Sequence, residues 1–159
     1  MLNLDKIKNR IRKGENIEKI VEEIDWKDFE ELVMKILEEH NFLPYHNFRF
    51  KIERLHEIDI LGVKGNLVLG IDCKQWNRGR YKKSGLKKAV KTQKYRLKQF
   101  KKMLNKDALT QDILNLPEKS KFIPLIVTWF EEDLIEEENV FIVPIWKFNQ
   151  FLLNLSEYI

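Results

Sequence analysis

A single cysteine, Cys73, occurs in 159 residues, so no internal disulfide can form and the fold must rest on an apolar core. Such usage agrees with a reducing, cytoplasmic setting. No run approaches the roughly 18 apolar residues of a membrane-spanning helix, and the first residues lack the charged-then-apolar order of a secretory leader. Neither membrane insertion nor export is expected. His40, His46 and His56 lack the paired spacing of a zinc site; they read as surface residues, with His46 or His56 beside a nucleic acid as the alternative. The most informative absence is one of charge sign. From Asn77 to Lys106 there are thirteen Lys and Arg and no Asp or Glu, whereas Glu131–Glu138 (EEDLIEEE) is almost wholly acidic. The net charge of +4 therefore understates a local field that attracts phosphate polymers and is screened by salt.

What is present suffices for one domain. A chain of this length with 43% hydrophobic residues buries roughly two-thirds of its unfolded surface. Leu2, Leu4, Ile7 and Ile11, then Ile17, Ile20, Val21 and Ile24, recur at near-helical spacing around Gly14. They predict one or two short accessory helices, for packing or, alternatively, for dimerisation or DNA contact. Asp28–Phe42 (DFEELVMKILEEHNF) follows as an amphipathic helix with Phe29, Leu32, Val33, Ile36 and Leu37 on one face. Its start is capped by Asp25 or Asp28, and Asn41 suits the left-handed residue at its end. Phe42–Arg54, with alternating Phe48, Phe50 and Ile52, reads as an edge strand.

The rest of the chain is organised around Glu57–Trp76 (EIDILGVKGNLVLGIDCKQW). Two β-prone runs flank Gly65-Asn66, which has turn chemistry. Side chains alternate along a strand, so Asp72 and Lys74 share a face about 7 Å apart while Cys73 points to the other. Glu57 and Asp59 alternate in the same way on the first strand, Glu57 as a candidate supporting acid. Carboxylates and a lysine in an apolar sheet cost several kcal/mol unless paired or liganded. One explanation is an ion pair at a sheet edge. The other is a metal site, because hard cations such as Mg2+ take oxygen ligands and one carboxylate from each of two strands can hold such an ion. Lys74 would then stand beside an attacking water or a scissile phosphate.

Asp59 followed thirteen positions later by Asp72-Cys73-Lys74 resembles the signature of the PD-(D/E)XK nuclease superfamily. Ile58 replaces the proline that names the motif, and Asp72 stands where glutamate is more usual. The helix from Asp28 resembles the opening of Mrr-like restriction endonucleases and of archaeal-type Holliday-junction resolvases, and Glu30 resembles the helix-borne acid that completes the metal site. The resemblance implies that Asp59, Asp72, Glu30 and the Cys73 carbonyl hold Mg2+, for which Mn2+ can substitute. It also implies that Glu30, Asp59, Asp72 and Lys74 are catalytic. The Cys73 thiol reads as a small core group.

After Trp76 comes NRGRYKKSG, in which Arg78, Arg80, Lys82 and Lys83 can grip phosphates while Trp76 or Tyr81 packs on a sugar or base. A solvated connector is the other reading. A long helix opens at Ser84 or Gly85, with Lys87 as a further expected DNA contact and Leu86, Val90, Gln93, Leu97, Phe100 and Leu104 in a seam. Gln93 contacts substrate or serves as a buried amide. Strands are predicted near Pro124–Phe130 and at Val140–Val143, and Pro144 suits the first turn of a closing helix. This ending resembles that of Mrr-like catalytic domains.

The expectation is therefore an α/β, restriction-endonuclease-like core, its mixed central sheet of four to five strands flanked by helices. Residues 1–24 form a helical extension, and 25–159 a PD-(D/E)XK nuclease-like domain. The expected activity is Mg2+-dependent endonucleolytic hydrolysis of DNA, duplex or branched, by a cytoplasmic homodimer. A Holliday-junction resolvase and a non-catalytic DNA-binding module are the alternatives.

Overall fold

In the computed structural model, which describes residues 3–75, 82–129, 132 and 134–159, three short-range signals set the frame. Asp25 caps the helix α3 (Trp26–Glu39), its carboxylate accepting the Asp28 N–H at 2.8 Å. That helix stops at Asn41, whose φ of 64° lets the Phe42 N–H turn back to the Leu37 carbonyl. Gly65, at φ 58°, then reverses the chain between β2 (Arg54–Lys64) and β3 (Leu67–Lys74). With β1 (Leu43–Ile52) at the edge, these strands form an antiparallel meander.

The long helix α4 (Lys82–Lys106) and the short α5 (Ala108–Ile113) cross from β3 to β4 (Lys121–Thr128), which pairs parallel to β3. Next come β5 (Glu136–Glu137), β6 (Val140–Pro144) and α6 (Ile145–Leu153), giving one mixed sheet in the order β1-β2-β3-β4-β6-β5. Six strands exceed the four to five expected. The acidic run holds the extra one, because Glu138 and Asn139 both adopt positive φ and turn Glu136–Glu137 back against β6. The short α5 was also not anticipated. Asp107 makes it, accepting from the Leu109 and Thr110 N–H groups.

The sheet lies between two helical layers. Leu69, Ile71 and Cys73 of β3 pack with Phe29, Val33 and Leu37 of α3 and Phe148 and Leu152 of α6. On the other face, Val68 packs with Leu97, Phe100 and Leu104 of α4. Ahead of these layers, α1 (Leu4–Arg12) and α2 (Ile17–Glu22) are not a detached appendage. Leu4 and Ile7 rest on the α3 side of the core, and Ile20 and Ile24 are buried. His56 corrects the expectation of surface histidines. It is buried, stacked on Phe50 with ring centroids 5.2 Å apart, and its Nε2 is 3.3 Å from the Ile52 carbonyl.

Candidate active site

The ladder between β2 and β3 runs from Lys64↔Leu67 to Ile60↔Ile71, and the next position in that register sets Asp59 against Asp72. There the backbone pairing ends. The Cys73 N–H donates instead to Asp59 Oδ2 at 3.0 Å. Since a strand residue presents its N–H and C=O on the same edge, the Cys73 carbonyl also leaves toward Asp59. On the outer side, Asn47 of β1, at φ 49°, interrupts the β1–β2 pairing between His46↔Ile60 and Phe48↔Ile58, level with Asp59.

Asp72 is 3% exposed. Arg96 Nη1 lies 3.2 Å from its Oδ1, and Lys74 Nζ lies 3.1 Å from its Oδ2. Burial pushes the Asp72 carboxyl up to about 6; Asp59 adds to the shift, and Lys74 and Arg96 oppose it. Glu30, on the opposite helical layer, is equally buried, with His46 against its Oε2. Burial raises its pKa as well, with Asp59 and Glu57 adding and His46 opposing. Among the described residues Glu30 Oε1 is a buried oxygen without a hydrogen-bond partner, a costly state for an acid.

The site therefore gathers Glu30 from α3, Asp59 from β2, and Asp72 and Lys74 from β3. Their mutual influence reaches the Cys73 thiol, which burial first and then the three acids hold well above its ordinary range. Such a thiol is inert, in keeping with its place in the core. A model of the nuclease-related domain matches residues 25–129. The chain belongs to the nuclease-related domain family. It is also similar to an uncharacterized protein of Archaeoglobus fulgidus, 30% identical over 135 residues that span 84% of this chain and 94% of that protein. Among solved structures it is similar to AF1548, a protein of unknown function, at 18% identity and a TM-score of 0.45, the match covering 80% of this chain and 65% of that one.

The matched span of this nuclease-related domain runs from the cap of α3 to just past β4 and contains the whole cluster. The other expected residues are placed less uniformly. Lys83 and Lys87 are exposed on α4. Arg78, Arg80, Trp76 and Tyr81 lie outside the described residues, as does the Lys82 side chain. Gln93 is 1% exposed beneath Gly70, with neither amide atom partnered among the described residues, which removes it from the surface. Glu57 is turned to Arg49, 2.6 Å away.

Two residues of the site were missed. Arg96 had a signal available, since Gly85, Ala89, Thr92 and Arg96 recur at three- and four-residue steps on one face of α4. His46 was read as a surface residue or one beside a nucleic acid, and only the register of β1 on β2 brings it to Glu30.

Among the described residues no three His, Cys, Asp or Glu side chains are grouped closely enough to enclose a metal ion. The donor set still suits Mg2+, which is held by one or two carboxylates and completes its shell with water and substrate phosphate. The unpartnered Oε1 of Glu30 is the atom such an ion, or its water shell, would satisfy.

Proposed function

We propose that this nuclease-related domain is a metal-dependent deoxyribonuclease, hydrolysing DNA phosphodiester bonds in the manner of the Mrr-like restriction enzymes that its motif resembles. The observation that carries this reading is the juxtaposition of Asp59 and Asp72 where β2 and β3 part, with Lys74 beside them. A structural ion pair needs no second carboxylate at that point.

Asp59, Asp72 and the Cys73 carbonyl would hold the cation, with Glu30 adjoining them. When bound, that cation supplies the charge that acidifies an attacking water and neutralises the phosphate. The residues of the chain do the rest. The Asp59 carboxylate is oriented by the Cys73 N–H. Lys74, held by Asp72, presents an ammonium to the charge that grows on the phosphoryl oxygens. Glu30 keeps one oxygen for the attacking water, and His46 fixes the other.

Cleavage of labelled linear duplex, single-stranded and four-way-junction DNA in Mg2+ or Mn2+, with EDTA and Asp72→Ala controls, tests the reading. Duplex cutting that needs both metal and Asp72 is expected, whereas paired symmetric nicks on the junction alone would identify a resolvase. One observation favours binding without cleavage: Arg96 and Lys74 already neutralise Asp72. Salt-sensitive DNA binding with no cutting in either metal would support that module instead.

A further inference from the structure

Between the end of β3 and α4 lies a cavity of about 290 Å³, and its described lining carries more positive than negative charge. Among the described residues Lys74, Lys88 and Arg96 line it against Asp72 alone. The α4 wall is a stripe of side chains at three- and four-residue steps, kept open by Gly85 and Ala89. Arg96 reaches Asp72 through Nη1, and a guanidinium carries five N–H donors, so its fork has capacity for a second anion. Thr92 gives its proton to the Lys88 carbonyl at 3.0 Å; on the α4 wall the anion donors are thus Lys88 and Arg96. By volume the cavity equals about ten water molecules of liquid, enough for one backbone phosphate with its sugar.

We propose that this cavity seats the phosphate next to the scissile one on the cleaved strand, gripped by Arg96 and Lys88 as positioning residues. The proposal rests on the nuclease reading and deepens it, because it sets the path of the strand along the Gly85–Arg96 face of α4. The outward face that carries Lys87 is not that path. Arg96 links the seat to chemistry: the same guanidinium that touches Asp72 orients the neighbouring phosphate, so occupation of the seat aligns the bond to be cut.

The test is anisotropy of a labelled 20-base-pair duplex in EDTA across a salt series, for the native protein, Lys88→Ala, Arg96→Ala and Arg96→Lys. Loss of one phosphate contact lowers the slope of log affinity against log salt by about 1. Lys88→Ala and Arg96→Ala are each expected to do so, binding about tenfold more weakly near 50 mM salt. In cleavage, Lys88→Ala is expected to raise KM about tenfold with little change in kcat. Arg96→Lys keeps the charge and loses the fork, so it should keep the slope and lose rate. Native slopes and affinities in both alanine variants would overturn the seat while leaving the nuclease reading intact, as would an Arg96→Ala protein altered only in melting temperature. Lys88 is exposed, so its variant has no reason to misfold. No salt-dependent binding by the native protein would overturn both.

Discussion

Asp72 is held above its ordinary 3.8, at about 6, chiefly by burial. The folded state therefore binds a proton that the unfolded chain has lost between about pH 4 and 6. For this group, stability is greatest at low pH and falls as pH rises through 6, by at most about 3 kcal/mol. Asp72→Asn, neutral and of the same shape, should therefore melt above the native protein at pH 7.5, with the difference vanishing near pH 4. A calorimetric pH series measures this, and a constant difference would show that the carboxylate is not strained. Millimolar Mn2+ should raise the native melting temperature at pH 7.5, since an ion at 100 times its Kd adds about 2.7 kcal/mol. It should have little effect on Asp72→Asn. Lys74→Ala should cut at least about 100-fold more slowly, the usual cost of losing one group that stabilises transition-state charge. At this scale the sequence was legible where residues share a strand, as with Asp72 and Lys74. It did not show which acids His46 and Arg96 meet, since those partners stand 16 and 24 positions away.

Between elements, the fit of α4 against β3 is decided at Gly70. A Cβ there would stand 2.7 Å from Leu97 Cδ1, so Gly70→Ala must displace the buried Leu97 side chain. A loss of about 1–3 kcal/mol is expected, as for overpacked cores, and Leu97→Val should restore most of it. Denaturant unfolding of the two single variants and the double variant measures the coupling, and simple additivity would contradict the contact. Asp25→Ala should cost about 1 kcal/mol by uncapping α3, with a further loss of activity because that helix carries Glu30. The elements themselves were largely legible, since α3, the β2–β3 hairpin and α4 each carry their own periodicity and stop signals. The two-residue β5 was not, because its glutamates have no strand propensity and pair only because β6 lies beside them.

For the whole molecule, the matched family span begins at residue 25, yet the first helices are packed into the same body. Ile20 and Ile24 are buried and Gln75, just past Lys74, donates to the Ile24 carbonyl at 3.1 Å. Removing residues 1–24 should therefore lower stability by about 3 kcal/mol or more, from two lost isoleucines. It should also loosen the end of β3, so that activity falls more than stability alone predicts. A chain without them that melts as the native one does would make the extension dispensable.

Local chemistry determined the layered α/β architecture, because apolar period, caps and turn residues act over a few positions and do not wait for the rest of the chain. It also determined the motif, Asp59 with Asp72-x-Lys74, which spans a single hairpin. Only tertiary structure decided that the hairpin ladder ends at those acids, that Glu30 meets His46 and that Arg96 bridges α4 to Asp72. Only it decided that Gln93 turns inward. These contacts join elements far apart in sequence, and their geometry follows from how the sheet and helices settle on one shared core.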